Sequence, residues 1–212
     1  MKSNKLKLVV ASGNAHKLEE IREILEDAGV GAAIKSMKEA GADIRIKEDG
    51  KTFEANAQIK AKAVHDALVK AGKLRGMTVL ADDSGLEIDA LKGEPGIHSA
   101  RYLGEKTPHE AKCADILRRM EKVAEKKRTA RFVCAVCAVF PDGSQVTVRG
   151  VLEGRIAREP RGTGGFGYDP IFYLPERCCT NAELTPEEKN RISHRGRAFR
   201  EAATILMLKQ NT

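Results

Sequence analysis

Residues 131–140, Arg131-Phe132-Val133-Cys134-Ala135-Val136-Cys137-Ala138-Val139-Phe140, are apolar on both faces. A strand of that kind is stable only where both faces are covered, so it predicts a central strand in a sheet flanked by helices. Pro141-Asp142-Gly143-Ser144 has the chemistry of a tight turn. After it, Val146 and Val148 alternate with Gln145, Thr147 and Arg149, which predicts a hairpin partner. Further strands are expected at 6–11, 44–47, 77–81 and 86–90. Helical spacing recurs in Leu18, Ile21, Leu25 and Ala28, closed by Gly29, and in Ala57, Ala61, Val64, Leu68 and Ala71, capped by Thr52. Thr107-Pro108-His109-Glu110 predicts a third helix, with Thr107 as cap and Ala114, Leu117, Met120 or Glu121, and Ala124 as its buried stripe. Thr185-Pro186-Glu187-Glu188 opens a short helix, and Ser193 caps the last one, which buries Ala198, Ala202, Ile205 and Leu206. These elements predict a mixed α/β architecture, with helices packed on a largely β core. No repeat, low-complexity tract or linker divides the chain, so residues 1–212 are expected to form a single domain.

Charge at the ends of buried elements carries the chemistry. The apolar run 77–81 ends on Asp82 and Asp83, followed by Ser84-Gly85. One reading is an Asx-type turn between strands. The other is a pair of rigid carboxylates for a hard cation such as Mg²⁺, which takes oxygen ligands and bridges to phosphates. Ser12-Gly13-Asn14-Ala15-His16-Lys17 joins the first strand to the first helix, an arrangement that offers backbone N–H groups and a positive dipole end to an anion. Lys17 is poorly placed there unless an anion lies beside it. The P-loop spacing is absent, and a plain strand-to-helix turn stands as the alternative. His194 and Arg195 repeat the anomaly at the start of the last helix, which argues that two helix ends converge on one anionic ligand. Glu54, Asn56 and Lys60 lie in early turns of the second helix, near the acidic turn Glu48-Asp49-Gly50. They either face one cleft with Glu48 or are ordinary solvated helix residues.

The loop Arg161-Gly162-Thr163-Gly164-Gly165-Phe166-Gly167-Tyr168-Asp169-Pro170 is richer in glycine than a structural turn requires. In a chain with only 4% aromatic residues, Phe166 and Tyr168 suggest a stacking surface for a planar ring, with Asp169 as acceptor beside it. The alternative is a glycine hinge with core aromatics.

The formal net charge of +7 arises largely from Lys and Arg at 118–131 and 191–200. Those clusters lack the interleaved aromatics of a base-stacking platform. Charge alone does not separate nucleotide phosphates from a nucleic acid, so a nucleic-acid-binding module and a non-catalytic nucleotide binder remain open. No apolar run is long enough to span a bilayer, and the basic N-terminus lacks a signal-peptide core, which places the chain in the cytoplasm. The five cysteines are odd in number, and neither Cys134-x-x-Cys137 nor Cys178-Cys179 has the second ligand pair of a zinc site.

Several of these segments together resemble the Ham1/inosine triphosphatase family. They are Ser12-Gly13-Asn14-x-x-Lys17, Ala81-Asp82-Asp83-Ser84-Gly85, Pro95-Gly96-Ile97-x-Ser99-Ala100-Arg101-Tyr102, residues 162–170, Leu184-Thr185-x-x-Glu188-Lys189 and Ser193-His194-Arg195-Gly196, in the expected order over nearly the whole chain. The resemblance implies a long, curved mixed sheet with flanking helices and two lobes around a central cleft. It also implies a homodimeric, metal-dependent enzyme that hydrolyses non-standard purine nucleoside triphosphates to the monophosphate and pyrophosphate. Within that resemblance Asp83 would be general base and Mg²⁺ ligand, Asp82 its support and Glu48 a second contributor to the metal. Ser12, Gly13, Asn14, Ala15, His16, Lys17, Lys60, Ser84 and Lys189 would hold the triphosphate. Phe166, Gly167, Tyr168 and Asp169 would receive the base, while His194 and Arg195 read its 6-oxo edge. Membrane and specific nucleic-acid partners are not expected. The chain departs from the family pattern at Arg177-Cys178-Cys179-Thr180-Asn181, where a Gly-Lys-Thr-like stretch is usual.

Overall fold

Parallel pairing organises the first strands. In the computed structural model, which describes residues 5–210 but not the His16 side chain, β1 (Leu6–Val10) pairs in parallel with β2 (Ala32–Ser36), Leu8 opposite Ile34. Its other edge pairs in parallel with β3 (Thr78–Ile88), Leu8 opposite Thr78. β4 (Thr129–Val139) and β5 (Gln145–Ile156) follow, then the short β6 (Phe172–Leu174) and β7 (Cys179–Thr180), which pair antiparallel. The result is a mixed seven-stranded sheet in the order β2-β1-β3-β4-β5-β6-β7. Helices α1 (Ala15–Asp27), α2 (Met37–Ala40), α3 (Phe53–Lys70), α4 (His109–Arg119), α5 (Pro186–Ile192) and α6 (His194–Gln210) complete the expected α/β architecture. Among the described residues no helix is long and apolar enough to cross a membrane.

The chain forms two compact units. The first contains the chain up to Asp83, residues 134–150, and everything from Arg195 onward; the second contains 84–133 and 151–194. Each has its own core. In the first, Leu8, Val10, Ile21, Leu25, Leu80, Val136 and Phe199 are fully or almost fully buried. In the second, Leu86, Ile88, Ile116, Phe132, Ile171 and Phe172 are. Burial of each such side chain contributes roughly 1.5–3 kcal/mol. β4 is buried along nearly its whole length, as its two-sided apolar pattern requires.

Some local expectations need correction. Residues 44–47 form no strand; the strand of this region is β2, which has β1 to pair with, whereas 44–47 has no strand partner. β3 runs without a break from Thr78 to Ile88, so Ser84-Gly85 is not a turn. α4 begins at His109 without a side-chain cap, because the Thr107 hydroxyl donates to the Leu103 carbonyl instead. Its buried face carries Lys112, Cys113 and Ile116, a rotation that leaves Ala114 exposed. The Lys112 ammonium compensates by donating to the Ala100 carbonyl at 2.7 Å.

Candidate active site

In the first unit, β3 carries Asp82 and Asp83 as adjacent strand residues. Their side chains therefore point to opposite faces of the sheet, and both are buried. Asp82 receives two cations: Lys17 Nζ lies 3.0 Å and Arg195 Nη2 3.5 Å from the same oxygen, Oδ2. The two helix-end cations that predicted an anion do converge on one, and it is a carboxylate of the chain itself. Arg195 is 1% exposed and also bridges Glu20. Burial works against its charge, but Glu20 and Asp82 hold the guanidinium pKa above its ordinary value. Arg195, expected to read a purine edge, is thus committed to two acids here.

Asp83 faces a different set. Asn56 Nδ2 donates to its Oδ2 at 3.0 Å, and Lys60 Nζ lies 3.5 Å from Oδ1 and 3.0 Å from Glu48 Oε2. Asn56 and Lys60 lie one helical turn apart on α3, which brings both to its inner face. Neither is a solvated helix residue, whereas Glu54 of the same helix is part-exposed and pairs with Arg149. Burial raises the Asp83 pKa, and Glu48 pushes the same way, against Lys60 and Asn56. Burial also opposes the Lys60 charge, yet Asp83, Asp82 and Glu48 together raise its pKa. One ammonium shared among several acids does not fully compensate Asp83.

The loop between β1 and α1 is partly self-satisfied. Asn14 N–H donates to Ser12 Oγ at 3.1 Å, and Lys17 N–H to Asn14 Oδ1 at 3.2 Å. A side chain at Gly13 would meet open space, so this part of the backbone is accessible to a ligand. Ala15 opens α1, and the His16 side chain lies outside the described residues.

In the second unit, the glycine loop closes around Asp169. Its carboxylate accepts from Phe166 N–H at 2.8 Å and pairs with Lys189 Nζ at 3.0 Å. The same ammonium lies 4.3 Å from the centre of the Phe166 ring. Tyr168 is not a stacking platform: it is 4% exposed, its hydroxyl donates to the Ser99 carbonyl, and its ring packs edge-on to His109. Phe166 is half-buried and remains the aromatic of this loop suited to a planar ligand. It also lines a cavity of about 770 Å³ with Gly165, Gly167, His109 and Cys113. Asp169, Lys189 and His194 do not line that cavity. His194 is buried and stacks on Phe132, with ring centres 4.8 Å apart and planes 16° apart. Ser84 is half-buried within β3.

The arginines of the basic segment 118–131 are answered inside the chain, while Lys122, Lys126 and Lys127 are exposed. Arg118 pairs with Asp115, Arg119 with Glu94, and Arg131 with Asp89 and Glu153. Arg128 is 1% exposed and donates to the carbonyls of Met120, Ile156 and Ala157.

Glu20 and Asn181 join these sites without having been singled out as ligands, whereas Asn56 was one of the α3 residues expected to face a cleft with Glu48 and Lys60. Glu20 and Asn181 carry no motif.

A Ham1 family model matches residues 8–205. The dITP/XTP pyrophosphatase of Clostridium perfringens is 46% identical over 193 residues, covering 91% of this chain and 93% of that protein. The dITP/XTP pyrophosphatase of Bacillus subtilis is 45% identical over 198 residues, covering 93% and 96%. Among solved structures, a HAM1 protein from Coxiella burnetii superposes with a TM-score of 0.83 at 40% identity, covering 95% of this chain and 98% of that one. The Ham1 protein of Staphylococcus aureus gives 0.82 at 38% identity, covering 96% and 99%.

Proposed function

The chain belongs to the Ham1 family, and on that premise we propose that it is a nucleoside-triphosphate pyrophosphatase acting on non-standard purines such as ITP, dITP and XTP. Hydrolysis to the monophosphate and pyrophosphate removes deaminated purines from the nucleotide pool. The observation that carries the reading is the buried Asp83, held between Asn56 and a Lys60 shared with Glu48.

Asp83 is the general base. Water attacks the α-phosphorus, its proton passes to the Asp83 carboxylate, a new P–O bond forms, and the bond to the bridging oxygen of the β-phosphate breaks to release pyrophosphate. Ser12, Gly13, Asn14, Ala15, His16, Lys17, Lys60, Ser84 and Lys189 hold the triphosphate. Lys17 and Lys60 exchange their carboxylate partners for phosphate oxygens as substrate enters. Phe166 stacks on the base beside Gly167 and Tyr168, with Asp169 as acceptor. His194 reads the 6-oxo edge, and Arg195 joins it once its looser bridge, to Asp82, opens. A 6-amino purine presents a donor to those donors and leaves buried groups unpaired.

The donor set suits Mg²⁺. Glu48 and Asp83 would supply its two hard oxygen ligands, and the Lys60 ammonium lies between them, where a cation is stabilised. When bound, Mg²⁺ offsets phosphate charge and favours the leaving pyrophosphate. The family resemblance further supports a homodimer, a cytoplasmic location and one functional domain over 1–212. The intramolecular pairing of the 118–131 arginines supports a reading without a specific nucleic-acid partner.

The test is pyrophosphate release from ITP, XTP, GTP and ATP with and without Mg²⁺. Metal-dependent release from ITP and XTP, with little from ATP, is expected. No release from any of the four would remove the enzyme reading, and equal release from ATP would remove the account of selectivity.

A further inference from the structure

Asp169 is held from outside its own loop. Its Oδ2 is met by Phe166 N–H and Lys189, but Oδ1 receives the side-chain amide of Asn181, with Nδ2 at 2.6 Å. Asn181 is 0% exposed, and its Oδ1 has no hydrogen-bond partner among the described residues. A buried amide acceptor left unmatched is a cost to the fold, so packing alone favours an apolar side chain at this position. What the amide adds is the N–H donor to Asp169.

The segment carrying Asn181 also clamps the glycine loop. Thr180 Oγ1 donates to the Arg161 carbonyl at 2.8 Å, and Gly164 N–H donates to the Ala182 carbonyl at 2.9 Å. The approach is so close that a Cβ on Gly162 would lie 2.5 Å from the Ala182 carbonyl carbon. Thr180 and Glu183 cap each other around the turn, which fixes the direction of the Asn181 side chain between them. This is the stretch in which the chain departs from the family pattern.

We propose that Asn181 is a positioning residue for purine recognition: by holding Asp169 Oδ1 it fixes the plane of the carboxylate, so that a remaining lone pair meets a ring N–H of a 6-oxo purine. The inference rests on the reading of Asp169 as the base acceptor. A carboxylate has about four acceptor directions, and Asn181, Phe166 and Lys189 occupy three of them. An ionised acid offers only acceptors to the fourth. Inosine and xanthosine present N1–H there, whereas adenosine presents a lone pair, acceptor against acceptor. Without Asn181 the carboxylate turns about its last torsion and the alignment is lost.

Steady-state kinetics with ITP and ATP, alongside thermal unfolding, test this in Asn181→Leu, which keeps the approximate size but removes the donor, and in Asn181→Ala. Both variants should raise KM for ITP about tenfold while kcat for ITP and both constants for ATP stay within about twofold, the scale of one lost hydrogen bond. Asn181→Ser, smaller but still a donor, should recover part of the ITP preference. A purely structural role would instead lower kcat for both nucleotides by a common factor, in step with Tm. An unchanged KM for ITP in the Leu and Ala variants, or equal losses on ITP and ATP, overturns the proposal. Asp169→Asn, measured in parallel, separates the two levels. If it leaves the ITP preference intact, the reading of Asp169 fails and Asn181 with it; if it abolishes the preference while the Asn181 variants keep it, only the assignment to Asn181 is wrong.

Discussion

The two charged sites are built on different principles. In the first unit, Asp82, Asp83, Glu48 and Glu20 are met by Lys17, Lys60 and Arg195, with Asp82, Lys60 and Arg195 each bridging two ionic partners. In the second, Asp169 is fixed by one ammonium, one backbone N–H and one side-chain amide. Shared ion pairs suit groups that must exchange partners, because each cation leaves one acid for another anion at little cost in charge balance. A carboxylate that two neutral directional donors orient beside a single ammonium suits reading a ligand's hydrogen-bond pattern. The contrast matches the proposal of a phosphate site that rearranges and a base site that does not.

Substitutions that strike each principle should differ in kind, and the largest effect should fall on the ionic site. Asp82→Ala leaves Arg195 with its bridge to Glu20 but without the acid it shares with Lys17. Loss of a partner from a buried ion pair costs about 3–5 kcal/mol, which urea unfolding would register. A loss below about 1 kcal/mol would show that the network is more solvated than its burial suggests.

The two glycine-bearing loops sharpen the comparison. Gly165 has φ +70°, and a Cβ there would strike the Asp169 carboxylate, so Gly165→Ala should cost about 1–3 kcal/mol and also weaken the preference for ITP. Gly13 has open space beside it, and Gly13→Ala should change stability by less than about 0.5 kcal/mol while obstructing a phosphate that approaches the backbone. Equal stability losses in the two variants, by thermal unfolding, would erase the distinction between a crowded reading loop and an open phosphate loop.

The smallest effect concerns thiols. Burial, with Glu110 and Asp169 adding to it, pushes the Cys113 pKa from 9.0 to about 11. A raised acid favours the protonated folded state, so its contribution to stability is complete below pH 9.0 and is lost as pH rises towards about 11. Under native conditions between about pH 7 and 9, iodoacetamide should label the exposed Cys178 and spare Cys113. Labelling of Cys113 at pH 7, read by mass spectrometry, would mean that the wall of the 770 Å³ cavity opens.

Much of this was legible in local sequence, because local rules governed it. The two-sided apolar run gave β4, Thr185 and Glu188 form the predicted capping box, and Asn14 and Gly29 bound α1 where the turn chemistry placed them. The misplacements have physical causes. Ser84-Gly85 has turn composition, but β3 continues through it as a strand. Thr107 has cap composition, but its hydroxyl found a nearer carbonyl. At the site, the acids and the glycine loop were visible as anomalies of charge and composition. Of their partners, Asn56 and Lys60 were among the residues expected to face one cleft with Glu48, but Glu20, which meets Arg195 across 175 positions, and Asn181, which meets Asp169 across 12, leave no periodic trace.

The most direct test of the division between the two sites is pyrophosphate release from ITP and ATP, in the presence of Mg²⁺, by the native chain, Asp83→Asn and Asp169→Asn. The account predicts that Asp83→Asn lowers kcat for ITP about a thousandfold, as loss of a general base does, while Asp169→Asn keeps kcat and loses the preference for ITP over ATP. Turnover that survives Asp83→Asn, or a preference that survives Asp169→Asn, would contradict it.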